Sequence, residues 1–174
     1  SVMMFVVMGK YLYAGTATAT CYLCSTGSGV TGSLYRSNDG TTWTGYKDGT
    51  PSQWINLPSA NVTKKIGGFR AGIASTICGY PRLYLGALNS DRFSYFDPKT
   101  NAINDIYDFS GSCVWGFSEF QGHLFAGAYD NNSSDPGVPK PVYWMYPNKC
   151  AEYPAPVWFK NMSVPTVGHM WTVA

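Results

Sequence analysis

Apolar runs of strand length, separated by short turns of Gly, Asn and Asp, follow one another along the whole chain. The first two runs are joined by Gly9 and Lys10, which have the length and composition of a hairpin turn. Residues 17–32 are rich in Gly, Ser and Thr, and this composition predicts a loop. Strand character then returns twice. The pattern predicts four strands in this part of the chain, at residues 2–8, 11–16, 33–37 and 41–44.

The second of these strands has two further copies along the chain. The three copies are residues 10–16 (KYLYAGT), 82–87 (RLYLGA) and 123–128 (HLFAGA). When the shared glycines Gly15, Gly86 and Gly127 are aligned, the copies lie 71 and 41 residues apart. A unit of about 41 residues with four strands has the length of a propeller blade. The sequence therefore predicts a repeat protein.

The strands predicted around the second and third copies complete two more blades. In the second copy they are residues 71–78, 82–87, 92–96 and 102–107, with turns at 79–81 and 97–101. In the third copy they are residues 113–120, 123–128, 141–146 and 156–159, with a turn at 121–122. Residues 167–173 (VGHMWTV) read as the first strand of a fourth copy.

The predicted fold class is all-β, a β-propeller with about three four-stranded blades and the start of a fourth. The predicted repeats are residues 1–70, 71–112, 113–165 and the incomplete 166–174. Three blades cannot close a ring, because propellers have four to eight. We therefore expect further blades from a longer chain, or from a protomer that closes by association.

Composition excludes some partners and favours an extracellular setting. The net charge is +2, only 13% of residues are charged, and Lys and Arg are scattered, so a nucleic-acid partner is not expected. No apolar run approaches the ~18 residues of a membrane span. The apolar opening is too short for a signal peptide, so a secretory signal would lie outside this sequence. A surface of Ser, Thr, Asn and Tyr suits a protein that is secreted or displayed on a cell surface.

Cysteines and glycosylation sequons agree with that setting. Cys21 and Cys24 form a CxxC, but no second CxxC completes a zinc site and no His follows for haem attachment, so we predict disulfides and no metal or cofactor. The disulfide candidates are Cys21, Cys24, Cys78, Cys113 and Cys150. An odd number leaves at least one of them unpaired within the chain, and the pairing stays open. The sequons are at Asn61, Asn131, Asn132 and Asn161.

One hairpin resembles a known propeller motif. Residues 37–43 (SNDGTTW) resemble the Asp-box, the S-x-D-x-G-x-T-W hairpin of sialidase-like and other bacterial neuraminidase repeat propellers, with one residue fewer between Asp and Trp. Residues 97–101 (DPKTN) are similar to the turn of kelch-type blades. The chain as a whole thus resembles an Asp-box/kelch-like β-propeller.

The resemblance implies a structural role for the hairpin rather than a catalytic one. Asp39 is expected to accept backbone N–H bonds inside the turn, with Ser37 and Thr42 supporting it. Gly40 belongs to the turn, and Trp43 is expected to pack between neighbouring sheets.

Loop lengths predict which side of the propeller binds a ligand. Strand parity puts all the tight turns on one side and the long segments 17–32, 45–70 and 129–140 on the other. Because loops on a rigid scaffold carry function, the long-loop side is the predicted binding face. Its candidate ligand-binding residues are Tyr22, Tyr46, Trp54, Tyr129, Asp130 and Asn131.

Aromatic rings mixed with carboxylates and amides suit a sugar, although Trp54 has the alternative of filling the gap between two blades. Residues 130–135 (DNNSSD) lack the spacing of an EF-hand and read as a polar loop. The sequons map to the same side, where glycans would shield it. Trp115 and Phe117 alternate with Glu119 on a predicted innermost strand, where core packing is favoured over lining an axial channel.

Three functions remain open at this point. The first is a non-catalytic extracellular binding module that recognises a glycan or a protein. The second is a structural subunit of an extracellular assembly, and the third is a fragment of a sialidase-like glycoside hydrolase. No catalytic residue is assigned, because HExxH, GxSxG and P-loop motifs are lacking and no catalytic role falls to the arginines. The arginines considered are Arg36, Arg70, Arg82 and Arg92.

Overall fold

A computed structural model gives the architecture of most of the chain. It describes residues 2–17, 32–46, 54–56, 68–87, 92–108, 112–130, 140–145 and 158–164. Within these ranges the chain is all-β, with thirteen strands in three antiparallel sheets and no helix. Among these residues, then, no helix exists that could span a bilayer.

Each sheet is a meander in which strands pair in chain order. The first sheet contains β1 (Val2–Met8), β2 (Tyr11–Thr16), β3 (Leu34–Ser37), β4 (Thr44–Tyr46) and β5 (Trp54–Asn56). The second contains β6 (Phe69–Ser75), β7 (Arg82–Ala87), β8 (Arg92–Asp97) and β9 (Ala102–Asp108). The third contains β10 (Ser112–Phe120), β11 (His123–Asp130), β12 (Lys140–Met145) and β13 (Trp158–Val164).

The first sheet differs from its prediction in two respects. It has a fifth strand, β5, which pairs with β4. The predicted strand at 41–44 begins only at Thr44, because residues 38–42 form a turn whose backbone N–H groups bond to side chains. The strands of the other two sheets overlap their predicted ranges, but β13 was predicted at 156–159 and lies at Trp158–Val164, so it shares only two residues with its prediction. The predicted strand at 167–173 lies outside the described residues.

The three sheets share one register around the repeated glycine. The first and second strands of each sheet pair Gly15 with Met4, Gly86 with Ala71, and Gly127 with Gly116. Immediately before each of these partners the first strand has a β-bulge. A bulge leaves one residue unpaired and bends its strand. The repeats found in the sequence therefore have the same backbone geometry.

The glycines are needed because the next sheet lies directly on them. A Cβ atom at Gly15 would come within 2.7 Å of the Phe69 Cβ on β6. A Cβ at Gly86 would come within 2.8 Å of the Val114 Cβ on β10. Phe69 and Val114 both precede the bulge of their strand, so the two interfaces are equivalent. Accordingly, β1 contacts β6 and β6 contacts β10.

Two apolar cores fill the spaces between the sheets. The core between the first and second sheets includes Tyr13, Leu83 and Phe96. The core between the second and third includes Tyr84 and Leu124. Side chains alternate along a strand, so on β7 Leu83 points back to the first sheet while Tyr84 points on to the third. Tyr13 and Tyr84 thus occupy the same place in successive sheets.

We expect the protein to lose stability as the pH rises above 10, the ordinary tyrosine pKa. Burial raises the pKa of Tyr84 above its ordinary value of 10.0, and it also raises those of Tyr13 and Tyr95. The folded state therefore favours the neutral phenols. Their contribution is fully present below the unfolded pKa and is lost as the pH rises past it. The midpoint of thermal unfolding, measured at several pH values above 10, gives the loss of stability. In Tyr84→Phe this midpoint should fall less steeply with pH. An unchanged slope in that variant would contradict the buried position of Tyr84.

The outward face of β1 is apolar and exposed. Phe5 and Val7 are 61% and 68% exposed, while the alternate residues Met4 and Met8 are buried against the second sheet. Trp43 is half-buried and lies on Phe5, with 6.4 Å between the ring centroids, so this contact is within its own sheet. The residues equivalent to Phe5 on β6 and β10 are Gly72 and Phe117, and both are half-buried.

Candidate functional site: a cleft between the first and second sheets

Tight turns from two sheets enclose a cleft of about 310 Å³. The first sheet contributes Lys10 from the β1–β2 turn and Arg36 from β3. The second sheet contributes Pro81 before β7, and Pro98 and Asn101 from the β8–β9 turn. The inner wall is apolar and consists of Met8, Tyr11, Tyr13 and Phe96. This cleft lies at the end of the sheets that carries the short turns.

Arg36 is held between two aromatic rings. Its Cζ atom lies 4.4 Å from the ring centroid of Tyr11 and 4.1 Å from that of Trp54. Arg36 pairs with Tyr13 across the β2–β3 ladder; burial raises the pKa of the Tyr13 hydroxyl, and the charge of Arg36 opposes this rise. A guanidinium whose flat faces lie on rings can still donate hydrogen bonds from its edges. Packing therefore fixes the direction in which Arg36 can bind an acceptor.

Asn101 is oriented by Trp54. The indole Nε1–H donates to Asn101 Oδ1 at 2.7 Å. Because an indole nitrogen only donates, this bond identifies which amide atom is the oxygen and leaves the Nδ2 group as a donor. Asn101 adopts a positive φ of 54°, which Asn tolerates better than most residues and which the turn between β8 and β9 uses. The cleft thus gains a third donor beside Lys10 and Arg36.

The cleft is positively charged. Lys10 is exposed and lies over Tyr11, with its Nζ atom 5.3 Å from the ring centroid. Among the described residues that line the cleft there is no Asp or Glu. Two cations without a lining carboxylate favour an anionic ligand.

The structure corrects the predicted positions of Tyr46 and Trp54. Both were expected on a ligand-binding surface, but they are only 2% and 8% exposed. Trp54 packs edge-on against Tyr13, Tyr46 and Phe96 at centroid distances of 5.9, 5.4 and 5.5 Å. The Tyr46 hydroxyl accepts a hydrogen bond from the backbone N–H of Ile103. The two rings therefore join the outer strands of the first sheet to the second and cannot stack on a sugar.

The other predicted ligand residues cannot be compared with the cleft. Tyr129 and Asp130 end β11, but their side chains lie outside the described part of the chain. Tyr22 and Asn131 lie wholly outside it. The cleft residues Lys10, Arg36 and Asn101 were not predicted. The available signal was the position of Lys10 and Asn101 in two tight turns at the same end of neighbouring sheets.

Asp39 organises the turn between β3 and β4. Its Oδ1 accepts hydrogen bonds from the N–H groups of Thr41 and Thr42 at 2.8 and 2.7 Å, and from the Ser37 hydroxyl at 2.9 Å. The Ser37 Oγ in turn accepts the N–H of Gly40 at 2.8 Å. These bonds favour the charged carboxylate and hold the pKa of Asp39 well below its ordinary value. The carboxylate is occupied by its own turn, as expected of a structural residue.

Replacing Asp39 with alanine should lower the midpoint of thermal unfolding at neutral pH, because two backbone donors lose their acceptor. A depressed pKa contributes stability above the unfolded value of 3.8, and this contribution is lost as the pH falls toward the lowered folded value. The difference in midpoint between wild type and Asp39→Ala should therefore shrink in acid. Asp39→Asn keeps an acceptor oxygen and should be intermediate at neutral pH. If the difference in midpoint between wild type and Asp39→Ala stayed constant through the acid range, the Asp39 carboxylate would not be what stabilises the turn.

A second polar cluster lies at the turn between β8 and β9. The Tyr80 hydroxyl donates to Asp97 Oδ2 at 2.6 Å and accepts from Arg82 Nη2 at 2.7 Å. Arg82 also lies 3.9 Å from the same carboxylate. Asp97 Oδ1 accepts the backbone N–H of Lys99 at 2.8 Å. Asp97 is 4% exposed, and both of its carboxylate oxygens make these contacts, so the cluster stabilises the turn between β8 and β9.

The remaining arginines and the predicted axial residues have structural contacts. Arg70 lies on the ring of Trp115, with its Cζ atom 3.3 Å from the ring centroid. Trp115 is buried and Phe117 packs on the core, whereas Glu119 is exposed. The core-packing interpretation of the two aromatic residues is therefore the one observed. Arg92 begins β8, and its side chain lies outside the described residues.

Few of the cysteines and sequons can be placed. Cys78 is disulfide-bonded, and its Sγ lies 3.0 Å from the Tyr84 hydroxyl. The positions that lie outside the described residues, in whole or in their side chains, are Cys21, Cys24, Cys113, Cys150, Asn61, Asn131 and Asn132. Asn161 lies within β13 at a break in its register with β12 and not in a loop of the long-loop side. Within the described ranges, no three His, Cys, Asp or Glu side chains come together as metal ligands.

Comparisons with known proteins add no family assignment. No model of a known protein family matches the chain, and no curated protein matches it either. The relationship to Asp-box and kelch propellers therefore stays a prediction from the motifs, and function has to be inferred from the geometry of the cleft.

Proposed function

We propose that the chain is a non-catalytic extracellular binding module, built from consecutive blades of an Asp-box/kelch-like β-propeller, that recognises a glycan or a protein. Three meander sheets with one register, one bulge position and one interface glycine support the propeller. Such an arrangement buries each sheet against the next around a common axis. Blades beyond these three complete the ring.

The observation that carries the binding function is the donor-rich cleft. Lys10, Arg36 and Asn101 offer hydrogen-bond donors above a wall of apolar side chains. The rings of Tyr11 and Trp54 hold Arg36 in place, so little side-chain entropy is lost on binding. We place the ligand here because the cleft brings these donors together, whereas Tyr46 and Trp54 of the predicted long-loop face are buried.

The test is a glycan array and a pull-down from extracellular fluid with the intact protein. A retained glycan or protein should be lost from Lys10→Ala and kept by Lys99→Ala. Lys99 is a matched control, because it is also an exposed lysine in a tight turn and lies 3.7 Å above the ring centroid of Tyr80. Retention of no partner at all would overturn the proposal.

A structural subunit is the second candidate, favoured by the apolar face of β1. Phe5 and Val7 are the most exposed large apolar residues on that strand. Sedimentation analysis should then give a discrete assembly that Phe5→Ser and Val7→Ser together dissociate. A monomeric wild type would exclude this candidate and leave the binding module.

A further inference from the structure

We propose that the cleft binds a carboxylate carried by an apolar group, as at the C-terminus of a protein chain that ends in a leucine-like residue. This inference rests on the proposed binding function and narrows it to one ligand chemistry. Three features of the cleft support it: the guanidinium of Arg36, the lack of a carboxylate among its described lining residues, and the apolar side chains beside the cations.

The orientation of Arg36 selects a planar anion. The Cζ atom of Arg36 lies over the rings of Tyr11 and Trp54, at 4.4 and 4.1 Å from their centroids, so a ligand has to approach the guanidinium from a side that these rings do not cover. A guanidinium edge presents parallel N–H groups that match the two oxygens of a carboxylate. Lys10, which lines the same cleft, adds a second positive charge.

The polar side chains of the cleft distinguish this ligand from a sugar. A sugar presents hydroxyl groups that donate as well as accept, so a sugar site needs acceptors. Lys10 and Arg36 have none, and Asn101 Oδ1 already accepts the Trp54 indole N–H. The hydroxyls of Tyr11 and Tyr13 are the acceptors left among the described lining side chains, fewer than the charged and amide donors around them. No carboxylate of the described residues lines the cleft. A carboxylate ligand only accepts, and it is therefore the better chemical match.

The wall of the cleft accounts for the apolar part of the ligand. The exposed rings of Pro81 and Pro98 offer carbon surface beside the cations, and the buried Met8 and Phe96 lie behind them. The volume of about 310 Å³ lies at the lower end of the range for small-ligand sites, roughly 300–1,000 Å³. A cleft of this volume suits a single residue better than an extended chain, which favours binding of the last residue of a protein chain.

The probes are N-acetyl-L-leucine and N-acetyl-L-leucinamide, which differ only in the carboxylate. Titration of the intact protein, followed by tryptophan fluorescence and by calorimetry, should show binding of the acid with a dissociation constant on the order of 1 mM. Binding of the amide should be about tenfold weaker or absent, because charge-assisted bonds are the stronger ones. Added salt should weaken binding of the acid.

Variants connect this binding to the cleft. Arg36→Gln should abolish binding of the acid, and Lys10→Ala should weaken it several-fold, while Lys99→Ala leaves it unchanged. Lys10 is exposed, so its variant tests the cleft even if loss of Arg36 impairs folding. Benzoate, a carboxylate without the peptide group, distinguishes a general apolar acid from a peptide terminus. Weaker binding of benzoate than of N-acetyl-L-leucine supports a protein C-terminus as the ligand. Equal or tighter binding of benzoate overturns the assignment to a C-terminus.

Equal affinity for acid and amide would overturn the inference, and so would equal losses in Lys10→Ala and Lys99→Ala. Failure of the inference and failure of the proposed function are distinguishable. Suppose that the pull-down retains a partner, and that its binding is unchanged in Lys10→Ala and in the presence of excess N-acetyl-L-leucine. The carboxylate site would then be excluded, while the proposed binding function would stand.

Discussion

Replacing Trp54 with alanine should lower the free energy of unfolding by about 3–5 kcal/mol, the ordinary cost of deleting a buried large aromatic side chain. Trp54 is 8% exposed and contacts both sheets through Tyr13 and Phe96. Its loss would also remove the indole N–H that donates to Asn101 Oδ1 and the ring that packs on Arg36. Chemical denaturation of the intact protein measures the effect.

Trp43→Ala is the matched control for Trp54→Ala. Trp43 is half-buried and lies on the exposed Phe5, so its removal should cost about 1 kcal/mol, the range of one aromatic pair. If Trp54→Ala kept full stability and lost only a glycan ligand, Trp54 would be the exposed stacking residue that the sequence predicted. That outcome would contradict its position between the sheets.

The second large effect is expected from Gly86→Ala, which should destabilise the fold by about 3 kcal/mol, the upper part of the roughly 1–3 kcal/mol range for overpacking. The new Cβ would lie 2.8 Å from Val114 Cβ and 3.0 Å from the Val114 carbonyl oxygen. Relief therefore requires β10 to move as a whole, because one of the opposing atoms is backbone. Thermal and chemical unfolding both report the change.

Gly72→Ala is the control for Gly86→Ala because its shortest contact is with a flexible side chain, while the nearest backbone atom, the Tyr84 carbonyl oxygen, is 3.2 Å away. A Cβ at Gly72 would meet the Met4 Sδ at 2.7 Å, and that thioether can change rotamer. We expect a cost below about 1 kcal/mol, since flexible side chains absorb small volume changes. If both alanine variants cost the same, the close approach of β10 to Gly86 would not be the cause.

Most of the strands could be predicted from the sequence, because turn residues and alternating apolar residues determine them locally. The glycines within the tight turns, such as Gly9 at φ 60° and Gly79 at φ 83°, mark where the backbone needs a positive φ. The copies of the Gly15 motif also predicted one register, since Gly15 and Gly86 both lie directly under the next sheet. β5 was missed because Trp54 follows a polar stretch and its strand is only three residues long.

The candidate site was not predictable in the same way. Trp54 and Tyr46 follow long connections, and loop position alone suggested exposure. Their burial depends on Phe96, a residue of another sheet that is far away in sequence. Arg36 likewise gains its orientation from Tyr11 and from Trp54, 18 residues further on. Packing of the second sheet on the first brings Phe96 to Tyr46 and Trp54, whereas strand pairing within the first sheet brings Tyr11 and Trp54 to Arg36.

The central claim is that successive sheets pack on the repeated glycine in the same way. Proton nuclear Overhauser spectroscopy on the isotope-labelled protein tests it directly. We predict cross-peaks from the Gly86 α-protons to the Val114 methyl groups and from the Gly15 α-protons to the β-protons of Phe69. Absence of both sets, with strand pairing within each sheet intact, would contradict the stacked arrangement and the cleft built on it.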